Sequence, residues 1–136
     1  MLQRLWLIVF LLLLNAYFVA VEFALVRARR SRLQAMSRAG DRIARFALKA
    51  TDARNLTTIL SAGQLGITLA SLGLGWATEN TLGHVFETWF AALPFGLEAG
   101  LRTSIAAGVA LLSATYLHVV FGELAPRAVA LNHPEV

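Results

Sequence analysis

Two acidic side chains in this sequence stand beside long apolar stretches. Glu22 follows the apolar run LWLIVFLLLLNAYFVAV, and Glu123 lies between another apolar run and Pro126, in the segment GELAP. An ionisable group at membrane depth is costly, so it usually marks an ion pathway or a paired site. The simpler alternatives are that Glu22 reaches toward the arginines that follow it, and that Glu123 marks a helix end at the membrane interface.

Pro126 adds a second feature to the surroundings of Glu123. Proline has no backbone N–H and disfavours the helical conformation of the residue before it. Carbonyl groups one turn before Pro126 are therefore expected to be left without partners. A carboxylate beside unpaired carbonyl oxygens forms an oxygen-rich site, which suits hard cations such as Mg²⁺, Ca²⁺ or Na⁺. The segment thus predicts a cation site at Glu123.

Neutral polar side chains elsewhere could complete such a site. Ser61, Thr68 and Ser71 offer hydroxyl oxygens in the second apolar run, and the latter two lie three residues apart, on one helix face. Asn15 offers an amide in the first run. The alternatives are that the hydroxyls bond their own helix backbone and that Asn15 bonds a neighbouring helix. His118, in the third run, is expected to bond a neighbour rather than a metal.

Three apolar runs must position these residues. The chain of 136 residues is 57% apolar and only 15% charged, against roughly 25% charged in a typical globular domain. A helix of about 20 apolar residues crosses a hydrocarbon core of roughly 30 Å, which predicts spans at about 5–27, 56–77 and 102–122. Small residues in the second span predict a place at the centre of the bundle, and 77–102 is expected to be an interfacial segment outside the membrane.

The segment 28–55 has a different character. Between residues 27 and 54 the sequence has nine basic side chains and two aspartates. Apolar residues recur there at helical spacing, with a break at Gly40–Asp41, which predicts two short amphipathic helices on the membrane surface. Ser31 or Asp41 is expected to cap them. Anionic lipid headgroups are the expected partner of these charges, and nucleic acid is not.

The charge distribution also predicts an orientation. Basic loops stay on the cytoplasmic side, so three crossings place the N-terminus outside and the C-terminus inside. The expected fold is therefore an all-α, multi-pass protein of the plasma or inner membrane. No Ser-His-Asp set, HExxH, Walker or GxGxxG motif occurs, and there is no cysteine, which argues against an enzyme and against a thiolate metal site.

Three segments resemble, in order, the transmembrane domain of the CNNM/CorC family of hemolysin-like proteins. They are NAYFVAVEFALVRARRSRL, LSAGQLGITLASLGLGW and TYLHVVFGELAPRAVAL, with the pair PE close behind. The resemblance covers nearly the whole chain, so residues 1–136 are expected to form one such domain. By position, Gly122, Glu123 and Pro126 match the family's G-E-x-x-P motif, Gly66 matches the glycine of the second helix, and Glu22 matches the first-helix glutamate.

This resemblance implies magnesium or cobalt transport, usually described as Mg²⁺ efflux, with Na⁺ as a coupled or alternative ion. It implies a homodimer, and cytoplasmic CBS modules that bind ATP downstream of residue 136. It also implies an ion site built from polar side chains of the first two helices and the acidic residue of the third. The rival hypothesis is a non-transporting membrane anchor or sensor for the CBS modules.

The sequence departs from the family pattern at several of these positions. Val19, Ala20 and Val21 stand where well-studied transporters have serines, and the pair Ile67–Thr68 stands where they have asparagines. Arg127 stands where lysine is common. Fewer side-chain oxygens therefore remain for a small dication, and this departure favours the anchor or sensor hypothesis.

Overall fold

The computed structural model describes residues 2–92 and 98–132, apart from the side chain of residue 80. The elements are α1 (Leu2–Arg27), α2 (Arg30–Arg38), α3 (Arg42–Ala50), α4 (Ala53–Ala91), α5 (Ala99–Leu117), a π-helical segment (His118–Leu124) and α6 (Ala125–Asn132). Within these described ranges, three helices are long and apolar enough to cross a membrane: α1, α4, and the continuous run Ala99–Asn132. The prediction of an all-helical chain with three apolar spans is confirmed.

Helix α4 is longer than the sequence predicted. It begins at Ala53 and ends at Ala91, and 39 residues at 1.5 Å each give about 58 Å, nearly twice the hydrocarbon thickness. The predicted interfacial segment 77–102 is therefore helical as far as Ala91. Pro94 and the glycines of this segment are the reason to expect an interrupted chain. Pro94 lies outside the described residues, and Gly83 lies within α4 without ending it.

Helix α4 occupies the centre of the bundle, with α1 on one side and α5 on the other. Its buried positions include Ala70, Leu74 and Ala77, and α5 buries Ala106 and Ala110. Small side chains let helix backbones approach closely, which compensates for the weak hydrophobic drive between helices in lipid. The predicted central place of the second span is confirmed.

Two glycines of α4 set its approach to α1. A Cβ atom on Gly66 would lie 2.7 Å from the ring of Phe18, and one on Gly73 would lie 3.3 Å from the side chain of Leu11. Contacts below 3 Å are not sustained by real side chains, so Phe18 requires a glycine beneath it. These pairings also show that α1 and α4 are antiparallel, because the later residue of α1 meets the earlier residue of α4.

The third span does not end at Gly122 as predicted. It passes from α5 through the π-helical segment into α6, and the N–H of Ala125 donates to the carbonyl of Val120, five residues earlier. Pro126 falls in the first turn of α6, where a missing N–H is tolerated. The wider π turn lets the chain pass the proline without stopping, and such turns are frequent at functional sites.

The basic segment forms the two short helices that the sequence predicted. The Asp41 carboxylate accepts hydrogen bonds from the N–H groups of Ile43 (2.8 Å) and Ala44 (3.2 Å) at the start of α3. Gly40 precedes it with φ +99°, a conformation that favours glycine. Asp41 is therefore the cap, whereas Ser31 lies inside the first turn of α2 and does not cap it.

Helix α3 presents apolar side chains outward. Ile43 is 80% exposed and Phe46 is 75% exposed, while Ala44 and Ala50 are buried. Apolar groups exposed on a basic amphipathic helix fit the surface of a membrane. The side of the membrane that this helix faces stays a prediction.

Candidate functional site

A buried amide joins the three spans. Asn15 on α1 is 1% exposed, and its Nδ2 donates to the carbonyl of Gly122 at 2.9 Å and lies 3.1 Å from His118 Nε2. From α4, Ser71 Oγ donates to Asn15 Oδ1 at 3.2 Å and also lies 3.1 Å from His118 Nε2. We call these four residues the polar network.

The polar network has two ways to distribute its protons. Ser71 has a single hydroxyl hydrogen, so it donates either to Asn15 Oδ1 or to His118 Nε2. Asn15 Nδ2, which can only donate, lies 3.1 Å from His118 Nε2, so Nε2 is the acceptor and the ring proton is on Nδ1 for either direction of the Ser71 hydroxyl. One set of side chains therefore supports two hydrogen-bond arrangements.

The Gly122 carbonyl is the group that Pro126 leaves without its α-helical donor, since an α-helix would bond it to the N–H four residues later. Asn15 supplies the N–H instead, so the expectation of an unpaired carbonyl is wrong at this position. A side chain at 122 would break the arrangement, because a Cβ atom there would lie 2.9 Å from His118 Cδ2 and 3.0 Å from Asn15 Nδ2.

A cavity of about 250 Å³ adjoins the polar network and receives side chains from all three spans. Both glutamates singled out in the sequence, Glu22 and Glu123, line it. We call it the carboxylate cavity. Its full lining is Asn15, Val19, Glu22, Phe23, Ile67, Ser71, His118, Glu123 and Arg127.

Arg127 partly neutralises the carboxylate cavity. Its Nη2 lies 3.3 Å from Glu123 Oε1, and its guanidinium carbon lies 4.4 Å from the centre of the Phe23 ring, within the range of a cation–π contact. Among the described residues, Glu22 has no hydrogen-bond or ion-pair partner. With a neutral His118, two carboxylates and one guanidinium leave the cavity with one negative charge.

The structure brings together most of the residues predicted for the site. Asn15, Glu22, Ser71 and Glu123 line the cavity, and Gly122 does not line it but accepts a hydrogen bond from Asn15. The two other predicted hydroxyls are elsewhere: Thr68 is exposed and donates to Gln64 O at 2.9 Å, and Ser61 is exposed and outside the cavity.

The shape of the site suits a hydrated cation better than a fully dehydrated one. Among the residues that the structure describes, no group of three His, Cys, Asp or Glu side chains could hold a metal ion. Mg²⁺, however, commonly keeps several waters and binds through one or two carboxylates. A water molecule needs roughly 10–15 Å³ of such space, so the cavity has room for an ion with part of its hydration shell.

Two residues of the site were not assigned to it from the sequence. His118 was expected to bond a neighbour, which is confirmed, but its position between Asn15 and Ser71 was not foreseen. Arg127 was noted only as a departure from lysine. The spacing of both residues in the sequence could have indicated their place. His118 precedes Gly122 by four residues and Arg127 follows Glu123 by four, and this spacing places side chains on one helix face.

Comparison with known proteins agrees with this architecture. The sequence profile of the cyclin M (CNNM) transmembrane N-terminal domain matches residues 6–136. The chain belongs to this family. UPF0053 protein YhdT of Bacillus subtilis (strain 168) is 42% identical over 125 residues, covering 92% of this chain and 26% of YhdT. UPF0053 protein sll0260 of Synechocystis is 37% identical over 132 residues, covering 97% of this chain and 29% of sll0260.

Other relatives give the same result. UPF0053 protein YrkA of Bacillus subtilis is 40% identical over 125 residues, covering 92% of this chain and 28% of YrkA. The chain thus spans between a quarter and a third of the length of these relatives. In this CNNM domain the region matched by the family profile includes every residue of the carboxylate cavity.

Proposed function

We propose that this CNNM domain is the membrane part of a cation transporter, with Mg²⁺ as its cargo and Na⁺ as a coupled or alternative ion. One observation carries the proposal: Glu22 and Glu123, from different spans, line a single cavity beside a helix that changes to π form. Ionisable groups at membrane depth are expensive to keep there. Two of them around one cavity are best explained by a positively charged substrate.

In this proposal the ion keeps part of its water shell. Glu22 and Glu123 supply the opposing charge, and the oxygens of Asn15 and Ser71 accept hydrogen bonds from its waters. Arg127 competes with the ion for Glu123, because its guanidinium already lies 3.3 Å from that carboxylate. Binding a cation therefore requires the Arg127 side chain to move away or the ion to remain nearer Glu22.

The same proposal extends to topology and partners. The basic helices α2 and α3 face the cytoplasm and its anionic lipids, so the N-terminus is outside and the C-terminus is inside. The domain works as a homodimer in the plasma or inner membrane, without enzymatic activity. The relatives are much longer than this chain, which leaves room for cytoplasmic CBS modules that bind ATP, and in this proposal such modules regulate the domain.

The test is Mg²⁺ flux into or out of proteoliposomes that contain the full-length protein. Glu22→Gln and Glu123→Gln each remove one charge at nearly constant volume, and each is expected to reduce flux strongly. Glu98→Gln is the matched control, because Glu98 is exposed and lies outside the cavity. Unchanged flux in both cavity variants, with the protein folded, would exclude the carboxylate cavity as the transport site.

A second candidate, a non-transporting anchor or sensor for CBS modules, is favoured by a specific contact. Arg127 already pairs with Glu123, and the Asn15 amide already satisfies the Gly122 carbonyl, so the site is partly complete without an ion. Thermal unfolding of the full-length protein separates the two. A ligand at one hundred times its Kd stabilises the folded state by about 2.7 kcal/mol, whereas an anchor shows no shift with Mg²⁺ or Na⁺.

A further inference from the structure

A second and larger cavity, of about 520 Å³, lies between α4 and α5. Its lining includes Gly75 and Glu79 on α4 and Gly108 and Thr115 on α5, and we call it the Glu79 cavity. Small residues on both helices leave the space between them open, as a Cβ atom on Gly75 or Gly108 would meet nothing within 4 Å. Among the described residues, Glu79 has no hydrogen-bond or ion-pair partner.

The two cavities extend in opposite directions along the bundle. Helices α1 and α4 are antiparallel, as the contacts of Phe18 with Gly66 and of Leu11 with Gly73 show. Glu22 lies seven residues beyond Asn15 on α1, and Glu79 lies eight residues beyond Ser71 on α4. At 1.5 Å per residue, the two carboxylates are displaced about 10 Å and about 12 Å from the polar network, toward opposite faces of the membrane.

Two residues separate the cavities. Ser71 and His118 are the described residues that line both of them, and Ser71 Oγ lies 3.1 Å from His118 Nε2. Asn15 on α1 contacts both of these side chains. Two polar side chains in mutual contact therefore stand where the two cavities meet.

We propose that Ser71 and His118 form a gate between the carboxylate cavity and the Glu79 cavity, and that the Glu79 cavity is the aqueous vestibule for a cation on the opposite side. The inference rests on the proposed transport function and extends it to the second half of the path. Opening requires only that Ser71 and His118 exchange their mutual contact for others. Redirecting the Ser71 hydroxyl to Asn15 Oδ1 breaks its hydrogen bond to His118, and a rotation of either side chain then opens the space between the cavities.

Thiol accessibility tests the gate without measuring transport. The chain has no cysteine, and Gly75→Cys adds a thiol at a position with open space in the Glu79 cavity. A charged, membrane-impermeant thiol reagent is applied to one face at a time of proteoliposomes that contain the full-length protein. Labelling of the thiol is expected from the Glu79 face and not from the Glu22 face. Leu72→Cys, at nearly the same depth but 67% exposed on the outer surface of the bundle, is expected to stay unlabelled.

Removing one side chain of the gate provides the second part of the test. In the Gly75→Cys background, His118→Ala is expected to abolish the difference between the two faces. His118→Gln, which keeps a side chain able to bond Ser71 and Asn15, is expected to preserve the difference. Absence of labelling from the Glu79 face, or equal labelling from both faces with Ser71 and His118 intact, overturns the proposal even if the His118→Ala protein does not fold.

The two proposals fail in different ways. The gate is supported if Gly75→Cys is labelled from one face only and if the added His118→Ala substitution allows labelling from both faces. This result supports the gate even if Mg²⁺ flux is absent, in which case Mg²⁺ is the wrong cargo. Strong Mg²⁺ flux with no labelling of Gly75→Cys keeps the carboxylate cavity and removes the vestibule. A thiol at Gly75 that reacts from neither face indicates that the Glu79 cavity is filled by lipid or by a second copy of the chain.

Discussion

The polar network and the basic helices α2 and α3 both use polar side chains to fix helices, but over very different distances in sequence. Asn15 is almost completely buried and bonds Ser71, His118 and Gly122, which lie 56, 103 and 107 residues away. Asp41 in the basic segment bonds the backbone two and three residues later. The network ties separate spans together, whereas the cap stabilises only the helix that it begins.

This difference has an energetic cause. Asn15 is 1% exposed, so little water can reach it to replace a lost hydrogen-bond partner, and its bonds to the other two spans depend on one another. At the membrane surface, water and headgroups are available to any group that loses its partner. We therefore expect substitutions in the network to affect the whole bundle and substitutions in α2 and α3 to act locally.

The largest effect is expected from Gly122→Ala. The added Cβ would lie 2.9 Å from His118 Cδ2 and 3.0 Å from Asn15 Nδ2, so both side chains must move and their hydrogen bonds lengthen. Overpacking of this kind costs about 3 kcal/mol at the upper end of its usual range. Unfolding of the full-length protein by sodium dodecyl sulfate in mixed micelles measures the change.

Gly63→Ala is the matched control for that substitution. Gly63 lies on α4 in the second span, and a Cβ atom there meets nothing within 4 Å. Its stability change is expected to stay within about 0.5 kcal/mol. Similar losses for both glycines would show that the bundle tolerates no added methyl group anywhere, and the special role of position 122 would be lost.

The next effect in size is expected from Asn15→Leu. It removes the hydrogen bonds to Gly122 and Ser71 and takes from the buried Gly122 carbonyl the donor that replaced its α-helical partner. Single interhelical hydrogen bonds in membranes are worth about 0.6 kcal/mol on average, and an unsatisfied buried group adds to this, so the loss is about 2 kcal/mol. The same micelle unfolding measurement applies.

Gln64→Leu is the corresponding control because it makes the same amide-to-leucine change on an exposed position of α4. It is expected to leave stability unchanged or to raise it slightly in lipid. If Asn15→Leu were as harmless as Gln64→Leu, the polar network would not hold the three spans together.

The same contrast explains what could be predicted from the sequence. The spans, the small-residue face of α4 and the Asp41 cap follow from periodicity and local chemistry, so they were predictable. The contact of Asn15 with Gly122 was not, because it depends on how two distant spans pack. Thr68 and Ser71 have similar neighbours in sequence, yet Ser71 lies in the site and Thr68 bonds its own backbone.

The path of the chain past Pro126 was mispredicted for a related reason. A proline preceded by an apolar helix usually ends it, and the sequence offers no separate sign of a π-helical turn. The turn is stabilised by a tertiary contact, the bond from Asn15 to the Gly122 carbonyl. Local rules therefore failed at the π-helical segment, which is also where the candidate site lies.

A smaller and local effect is expected from Asp41→Ala. Loss of a helix cap costs about 1 kcal/mol, which corresponds to about fivefold faster amide hydrogen exchange in α3 if that helix opens by itself. Exchange in α1 and α4 should not change. Asp52→Ala is the control, because Asp52 occupies the N-cap position of α4 without a capping hydrogen bond, and its exposed ion pair with Arg30 contributes little to stability. Faster exchange throughout the bundle after Asp41→Ala would contradict the local role of this segment.

The smallest effect on stability is expected from Phe46→Ser, although it tests the function of α3 most directly. Phe46 is 75% exposed, so its loss should change the unfolding free energy in detergent by less than about 0.5 kcal/mol. If α3 lies on the membrane surface, however, its exposed side chains should contact lipid. An environment-sensitive fluorophore attached to Ile43→Cys should shift its emission to shorter wavelength when the full-length protein enters anionic vesicles.

The same fluorophore on Arg42→Cys, the neighbouring and exposed position at the start of α3, should shift much less, because only the apolar face enters the headgroup layer. Phe46→Ser should reduce the shift at Ile43 by removing an apolar side chain that lies three residues away on that face. Equal shifts at positions 42 and 43, or no shift at either, would mean that α3 does not lie on lipid with its apolar face inward. The exposed Ile43 and Phe46 would then require a protein surface to cover them, while the polar network between the spans would be unaffected.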